Sequence, residues 1–152
     1  MASAEIEAME LAPLTASLGY LLRRLQLSYK KHFNRMAGAS GIQPGQVGAM
    51  FAIGLNPGIA PSQLCAALGM DAAQVTALLN QLELKKLVTR RSSKQDGRSR
   101  VIQLTAAGQR EFKIVQELAL EVERSFVGEA LSEGEARQLI ALLSRLLAGV
   151  SE

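Results

Sequence analysis

A chain of 152 residues is long enough for one domain with a packed core and too short for two independent ones. Hydrophobic residues make up 48% of the chain, but aromatic residues only 4% and Trp none, a composition typical of packed helices. The net charge of +3 indicates no class of partner until the distribution of the charge is known. One cysteine and one histidine exclude an internal disulfide and a structural metal cluster.

The chain starts with MASAEIEAMELAP, which is acidic and therefore unlike the basic region that opens a secretory signal. No stretch approaches the roughly 18 uninterrupted apolar residues that a membrane span requires. We therefore expect a cytoplasmic protein with no membrane partner.

Two helices are predicted next. Leucines recur at steps of four and three from Leu14 to Leu25, and Pro13 can occupy the first turn of that helix. This helix should end between Gly38 and Gly41. A second helix is predicted from Pro44 to Gly54, because the Asn-Pro-Gly sequence at 56–58 stops it.

A helix-turn-helix pattern follows. A short helix is predicted from Pro61 to Leu68, with Gly69 at its end. Asp71 is a favourable N-cap for the next helix, and Gln74 can return the hydrogen bond as a capping box. The apolar side of that helix carries Val75, Leu78, Leu79 and Leu82, and its other side carries Ala73, Gln74, Thr76, Ala77, Asn80 and Gln81.

After Leu87 the hydrophobic period changes from helical to alternating. Residues 88–91 and 101–104 read as two strands, and Asp96-Gly97 between them is the strongest short hairpin signal. Thr105 can cap the helix that follows, in which a seam for another helix consists of Phe112, Val115, Ala119, Val122 and Phe126.

The last predicted helix opens at Ser132, which forms a second capping box with Glu135. Its apolar stripe consists of Leu139, Leu142, Leu143, Leu146 and Leu147. These terminal helices carry more leucine than one small domain can cover, which favours an interface with a second copy.

Positive charge is concentrated on the hairpin. Residues 85–100 hold seven of the 17 basic residues against one acidic residue, Asp96, so the segment carries +6 and the remainder sums to −3. A second cluster that contains no acid consists of Arg23, Arg24, Lys30, Lys31 and Arg35. Charge segregated in this way creates a local field suited to a polyanion.

A helix-turn-helix followed by a charged hairpin predicts a mainly α fold with a small β wing (α+β), the winged helix-turn-helix that docks on duplex DNA. In the major groove, the amides of Gln74 and Asn80 match adenine, and Thr76 and Ala77 match a thymine methyl group. Arg98 would enter the minor groove. Further predicted DNA-contacting residues, of which the basic ones would bind phosphates, are Ser62, Ala73, Arg91, Lys94, Asp96 and Arg100.

Parts of this pattern also occur in proteins with other functions. A basic hairpin alone is most often a solvated loop, and two short helices around a glycine are common. An enzyme is disfavoured because the sequence holds no recognisable nucleophile motif, phosphate loop, metal set or cofactor site. A module that binds an acidic protein and a nonspecific DNA-coating protein remain alternatives, the latter with a steep salt dependence.

Three marks link the segment from Pro61 to Gly108 to a known family. They are Leu82-Glu83, Asp96-Gly97-Arg98 at the wing tip and the Leu-Thr-x-x-Gly sequence at 104–108. In these the chain resembles the bacterial MarR (multiple antibiotic resistance regulator) family, and the order of the flanking helices extends the resemblance over nearly the whole chain. By this resemblance Asp96 would brace Arg98. One departure is Lys86, which stands where the family usually has glycine and would be strained in a left-handed conformation.

The resemblance implies a homodimeric repressor that a small-molecule ligand releases from double-stranded DNA at a palindromic operator. It implies a single domain over residues 1–152, in which 42–105 form the winged DNA-binding lobe. The dimerisation helices would span 13–38 and 106–149, with the first and last helices interlocking.

The family's ligand pocket lies between the dimer helices and the DNA-binding lobe. The resemblance therefore implies an effector site that includes Tyr20, Arg23, Arg24, His32 and Phe51. Such a set suits an anionic aromatic compound or a CoA thioester. The alternatives are that His32 is an interface histidine and that the two arginines face solvent or phosphate.

Cys65 raises a redox-responsive alternative, because some relatives sense peroxide through a cysteine in their first helix. Here Cys65 falls instead in the first helix of the helix-turn-helix. A small, apolar, buried cysteine is the interpretation we favour.

Overall fold

The computed structural model describes residues 11–92, 100–128 and 130–150, apart from the side chain at 39. Within these ranges it contains six helices and one antiparallel strand pair, which confirms a mainly α fold with a small β wing. The elements are α1 (Leu18–Ala37), α2 (Pro44–Leu55), α3 (Pro61–Leu68), α4 (Ala72–Leu84), β1 (Val88–Ser92), β2 (Arg100–Leu104), α5 (Ala106–Gly128) and α6 (Glu133–Gly149).

The first helix starts later than the sequence predicts. Pro13 precedes only a 3₁₀ turn, Leu14–Ala16, and Ser17 then adopts an extended conformation (φ −82°, ψ 137°). The Ser17 hydroxyl accepts a hydrogen bond from the backbone N–H of Tyr20 at 3.4 Å, so Ser17 and not Pro13 opens the helix. The helix ends at Ala37 before Gly38, as predicted.

The helix-turn-helix is formed as predicted. Gly69 ends α3 in the left-handed conformation, φ 61°. The Asp71 carboxylate accepts from the Gln74 backbone N–H at 2.8 Å, and the Gln74 side-chain oxygen accepts from the Asp71 backbone N–H at 3.0 Å. The four apolar side chains predicted to face inward from α4 are all buried: Val75, Leu78, Leu79 and Leu82.

The two strands pair from Val88 opposite Leu104 to Ser92 opposite Arg100. The sequence did not predict a third piece, in which Ile59 bridges to Ile102 just before α3. The Ile102 N–H donates to the Ile59 carbonyl at 2.9 Å, which ties the helix-turn-helix to the wing. The predicted turn at Asp96-Gly97 lies outside the described residues.

The Leu-Thr-x-x-Gly sequence forms the junction between the wing and α5. The Thr105 hydroxyl accepts from the Gly108 N–H at 2.9 Å and donates to the Lys86 carbonyl at 2.6 Å. A Cβ atom at Gly108 would lie 1.9 Å from the carbonyl oxygen of Leu87. The helix therefore packs directly against backbone, which only glycine permits.

Lys86 adopts the left-handed conformation, φ 58°. It follows α4 in a Schellman motif, in which the Leu87 N–H donates to the Leu82 carbonyl at 2.9 Å and the Lys86 N–H to the Glu83 carbonyl at 2.8 Å. The strain predicted for this position is therefore present.

We expect Lys86→Gly to raise the free energy of unfolding by about 1 kcal/mol, because glycine adopts a positive φ without steric cost. Urea denaturation measures the change. Lys86→Ala is the matched control, because it removes the same charge and keeps the Cβ atom that causes the strain. Equal stabilisation by both variants would assign the gain to charge instead.

The core lies where α1 and α5 meet α2 and the rest of the winged lobe. Val115 and Val122 on α5 are fully buried, Phe112 meets Phe51 of α2 edge-on at 5.4 Å, and Phe126 lies against α1. The predicted seam on α5 is thus confirmed as a helix-packing face. The largest fully buried side chains are Phe33, Met50, Ile53, Leu64, Val75, Leu82, Ile102, Val115 and Val122.

Candidate nucleic-acid interface

The polar face of α4 is open to solvent. We call this surface the outer face of α4. Its apolar opposite side is anchored in the core, so the backbone of α4 is held in place while this surface stays accessible. Its exposed residues are Ala73, Gln74, Thr76, Ala77, Asn80 and Gln81.

Arg90 of β1 braces the outer face of α4 from the wing. Its Nη2 atom donates to Asn80 Oδ1 at 2.7 Å and lies 3.2 Å from Glu83 Oε2. Sequence reasoning counted Arg90 among the basic residues but did not assign it to the site. Strand alternation could have found it, because Arg90 lies two residues after the buried Val88 and thus on the same side of the strand.

A second polar network joins α4 to α2. Gln46 is a buried polar side chain, 4% exposed, and its amide nitrogen donates to Gln81 Oε1 at 3.3 Å. The Lys85 ammonium donates to Gln46 Oε1 at 3.1 Å and to the Gly41 carbonyl at 2.6 Å. Sequence reasoning did not predict this network, because Gln46 is 35 residues from Gln81 and 39 residues from Lys85 in the chain.

The basic and polar residues around α4 are only partly described. Arg91 and Arg100 are exposed at the far ends of the paired strands, and Ser62 is exposed in the first turn of α3. Lys94, Asp96 and Arg98, the other predicted wing contacts, lie outside the described residues. The described part of the wing thus places exposed guanidinium groups on the strands that follow α4.

Comparison with known proteins assigns the chain to a family. The profile described as the MarR family matches residues 40–99. Over 140 residues the chain is 31% identical to a transcriptional regulatory protein proposed for the hcr operon of Thauera aromatica, a match that covers 91% of this chain and 84% of that protein. The chain belongs to the MarR family. It is a DNA-binding transcriptional regulator and not an enzyme.

Solved structures share this fold. The repressor CouR, solved on a 23-mer DNA duplex, superposes with a TM-score of 0.84 at 24% identity, covering 91% of this chain and 98% of CouR. BpsR of Bordetella bronchiseptica, whose DNA binding is regulated by 6-hydroxynicotinic acid, superposes with a TM-score of 0.79 at 22% identity. That match covers 86% of this chain and 92% of BpsR.

In this MarR-family regulator the predicted effector residues are not gathered into one cluster. The Arg24 guanidinium donates to the Tyr20 hydroxyl at 3.2 Å and lies 5.8 Å from the centre of its ring, and Arg23 is exposed beside them. His32 lies farther along α1, and Phe51 packs against Phe112. Tyr20, Arg23 and Arg24 thus form a basic and aromatic surface, while Phe51 contributes to packing.

Both ring nitrogens of His32 are engaged. Arg35 Nη2 donates to His32 Nδ1 at 2.7 Å, and His32 Nε2 lies 2.6 Å from the Ser125 hydroxyl on α5. Phe126 lies beside this ring and meets Tyr29 edge-on at 5.2 Å. Burial, with a smaller effect of the Glu123 carboxylate, raises the pKa of Tyr29 above its ordinary value.

Cys65 is half-buried and packs against the core. Within the described ranges, no three His, Cys, Asp or Glu side chains are arranged to hold a metal ion. None of the helices described there is both long and apolar enough to cross a membrane.

Proposed function

We propose that this regulator is a homodimeric repressor that binds a palindromic operator in the cytoplasm and is released by a small ligand. The observation that carries the proposal is the outer face of α4, which is exposed, polar and braced by Arg90 of the wing. This face would enter the major groove, with Gln74, Asn80, Thr76 and Ala77 toward the bases.

The wing would lie over the adjacent DNA backbone. Arg91 and Arg100 would bind phosphates, and the sequence predicts that Lys94 does the same while Asp96 braces Arg98 in the minor groove. Contacts of this kind position the protein without reading sequence. Base reading would therefore rest on α4.

Dimer formation is supported by the terminal helices. None of the residues of α6, all of which are described, is buried, and its leucines Leu142 and Leu146 are 51% and 45% exposed. A groove of about 680 Å³ separates α5 from α6. Helix α1 leaves further large side chains exposed at Leu18, Leu21, Leu22, Leu25 and Leu27. Apolar surface of this extent on two helices is typical of an interface between protein chains.

A twofold dimer would present two α4 helices about 34 Å apart and so select a palindrome. The dimerisation segments proposed are 13–38 and 106–149, with 42–105 as the DNA-binding lobe. Analytical ultracentrifugation tests the dimer. A monomer at the concentrations at which the protein binds DNA would contradict it.

The proposed effector is an anionic aromatic compound or a CoA thioester. Support comes from the exposed Arg23 and the Tyr20–Arg24 pair, which combine positive charge with an aromatic ring. BpsR offers a parallel, because an aromatic acid regulates its DNA binding. Isothermal calorimetry with aromatic acids and their CoA esters tests this proposal, and no heat across the panel would contradict it.

Selection from a random duplex library at near-physiological salt tests operator recognition. The proposal expects the wild type to enrich one palindrome and Arg98→Ala to bind it more weakly. Recovery of unrelated sequences would instead indicate nonspecific coating of DNA. Loss of DNA binding after mild peroxide, with sulfenylation of Cys65, would favour the redox-responsive alternative.

We expect Arg100→Gln to weaken operator binding and to reduce the slope of log Kd against log salt by about one unit for each protomer, because one phosphate contact is lost. Fluorescence anisotropy over a salt series measures the slope. Lys113→Gln is the matched control, because it removes a cation that is also exposed, from α5. An identical loss in both variants would reflect overall charge and not a phosphate contact.

A further inference from the structure

We infer that the side-chain amides of α4 read the operator through their NH₂ donors, and that the bases facing Gln74, Asn80 and Gln81 are guanines. The inference rests on the proposed function, in which the outer face of α4 enters the major groove. It follows from which half of each side-chain amide the protein itself already uses.

The carbonyl half of Gln74 is turned toward the helix cap. Its Oε1 atom accepts from the backbone N–H of Asp71 at 3.0 Å. A backbone N–H can only donate, so the oxygen of the amide must face it. The NH₂ group of the exposed Gln74 is the half that remains for DNA.

Asn80 is oriented in the same sense by the wing. Arg90 Nη2 lies 2.7 Å from Asn80 Oδ1, and a guanidinium has donors and no acceptor. Glu83 Oε2, 3.2 Å from the same nitrogen, holds Arg90 in place. Arg90 is therefore a positioning residue, which leaves the Asn80 NH₂ group toward solvent as a donor.

The orientation of Gln81 follows from the network behind it. Gln46 Oε1 accepts from the Lys85 ammonium at 3.1 Å and from the Gln43 backbone N–H at 3.3 Å, two groups that can only donate. The Gln46 NH₂ group must then be the half that donates to Gln81 Oε1 at 3.3 Å. Gln81, too, retains its NH₂ group.

A surface that presents NH₂ donors distinguishes between the base edges of the major groove. Adenine presents an acceptor at N7 and a donor at N6, so its bidentate pairing with an amide requires the carbonyl oxygen as well as the NH₂ group. Guanine presents acceptors at both N7 and O6, which an NH₂ group can satisfy. The sequence-based expectation of adenine would require an oxygen that is turned toward Asp71 or Arg90 to reach the base with its second lone pair.

Library selection with Asn80→Ala and Arg90→Met tests the inference. The base pair that loses preference in Asn80→Ala is the one Asn80 faces, and we expect guanine there in the wild-type site. Arg90→Met frees the Asn80 oxygen, so the ratio of guanine to adenine at that base pair should fall by about tenfold. Arg91→Met, which removes a neighbouring charge from the same strand, should weaken binding and leave the ratio unchanged.

Adenine at the Asn80-dependent position of a wild-type palindrome would overturn the inference and leave the proposed function standing. If the ratio of guanine to adenine falls as much in Arg91→Met as in Arg90→Met, the inference is also overturned. The loss of charge, and not the orientation of Asn80, would then explain the change in base preference. If no sequence is enriched, the proposed function fails and the inference with it. Asn80 is exposed, so its alanine variant identifies the base even if Arg90→Met does not fold.

Discussion

Gly108→Ala is expected to lower the free energy of unfolding by about 3 kcal/mol or more, the largest loss of stability that we predict for a single methyl group. The added Cβ atom would lie 1.9 Å from the Leu87 carbonyl oxygen and 2.9 Å from its carbonyl carbon, both of them backbone atoms. To relieve this clash, α5 must move away from Leu87, which immediately precedes β1. That movement also disrupts the hydrogen bonds of Thr105. Urea denaturation followed by circular dichroism measures the loss.

Gly45→Ala in α2 is the matched control for this prediction. A Cβ atom at Gly45 meets no atom within 4 Å, so alanine should be neutral or stabilise the helix by up to about 1 kcal/mol. An unfolding midpoint for Gly108→Ala equal to that of the wild type would show that the junction relaxes. The close approach would then not explain why glycine stands in this sequence.

The double variant Leu142→Glu with Leu146→Glu is expected to abolish the dimer and weaken operator binding by at least about 100-fold. Both side chains lie on one face of α6, and burying their replacements between two subunits would remove four carboxylates from water. Loss of the second α4 helix also removes the gain from binding two half-sites at once. Ultracentrifugation and anisotropy measure the two effects.

Ala141→Glu is the control for charge on α6. Ala141 is exposed and lies one turn from both Arg137 and Arg145, so a glutamate there should pair with them and leave the dimer intact. The monomeric double variant should keep its helical circular dichroism, because α6 contributes no buried residue to the core of one chain. A double variant that stays dimeric would place the interface on a different surface.

The secondary structure was largely predictable because its signals are local. The capping boxes at Asp71 and Ser132 join residues three apart, and the Ser132 hydroxyl, with a smaller effect of its backbone N–H, also lowers the pKa of the Glu135 carboxylate. Gly69 ends α3 by its own conformation. The start of α1 was predicted wrongly because two local signals competed, and the cap at Ser17 prevailed over Pro13.

The sequence predicts which residues of the candidate site are exposed, but not how their side-chain amides are oriented. Helical period separates the outer face of α4 from its buried side, so its exposed residues follow from the sequence. Which half of an amide is free depends on a partner such as Arg90, ten residues away from Asn80, or Gln46, thirty-five residues away from Gln81. Strand alternation could place Arg90 on the inner side of β1 but could not name its acceptor.

The sequence by itself determined the order of helices and strands, the capping boxes at Asp71 and Ser132, the segregation of basic charge and the strain at Lys86. These depend on residues within a few positions of one another. Only the tertiary structure decided that Ile59 joins the wing, that Gly108 lies against the Leu87 carbonyl and that Arg90 orients Asn80. Such contacts join segments whose distance is set by packing of the whole core, which no local pattern encodes.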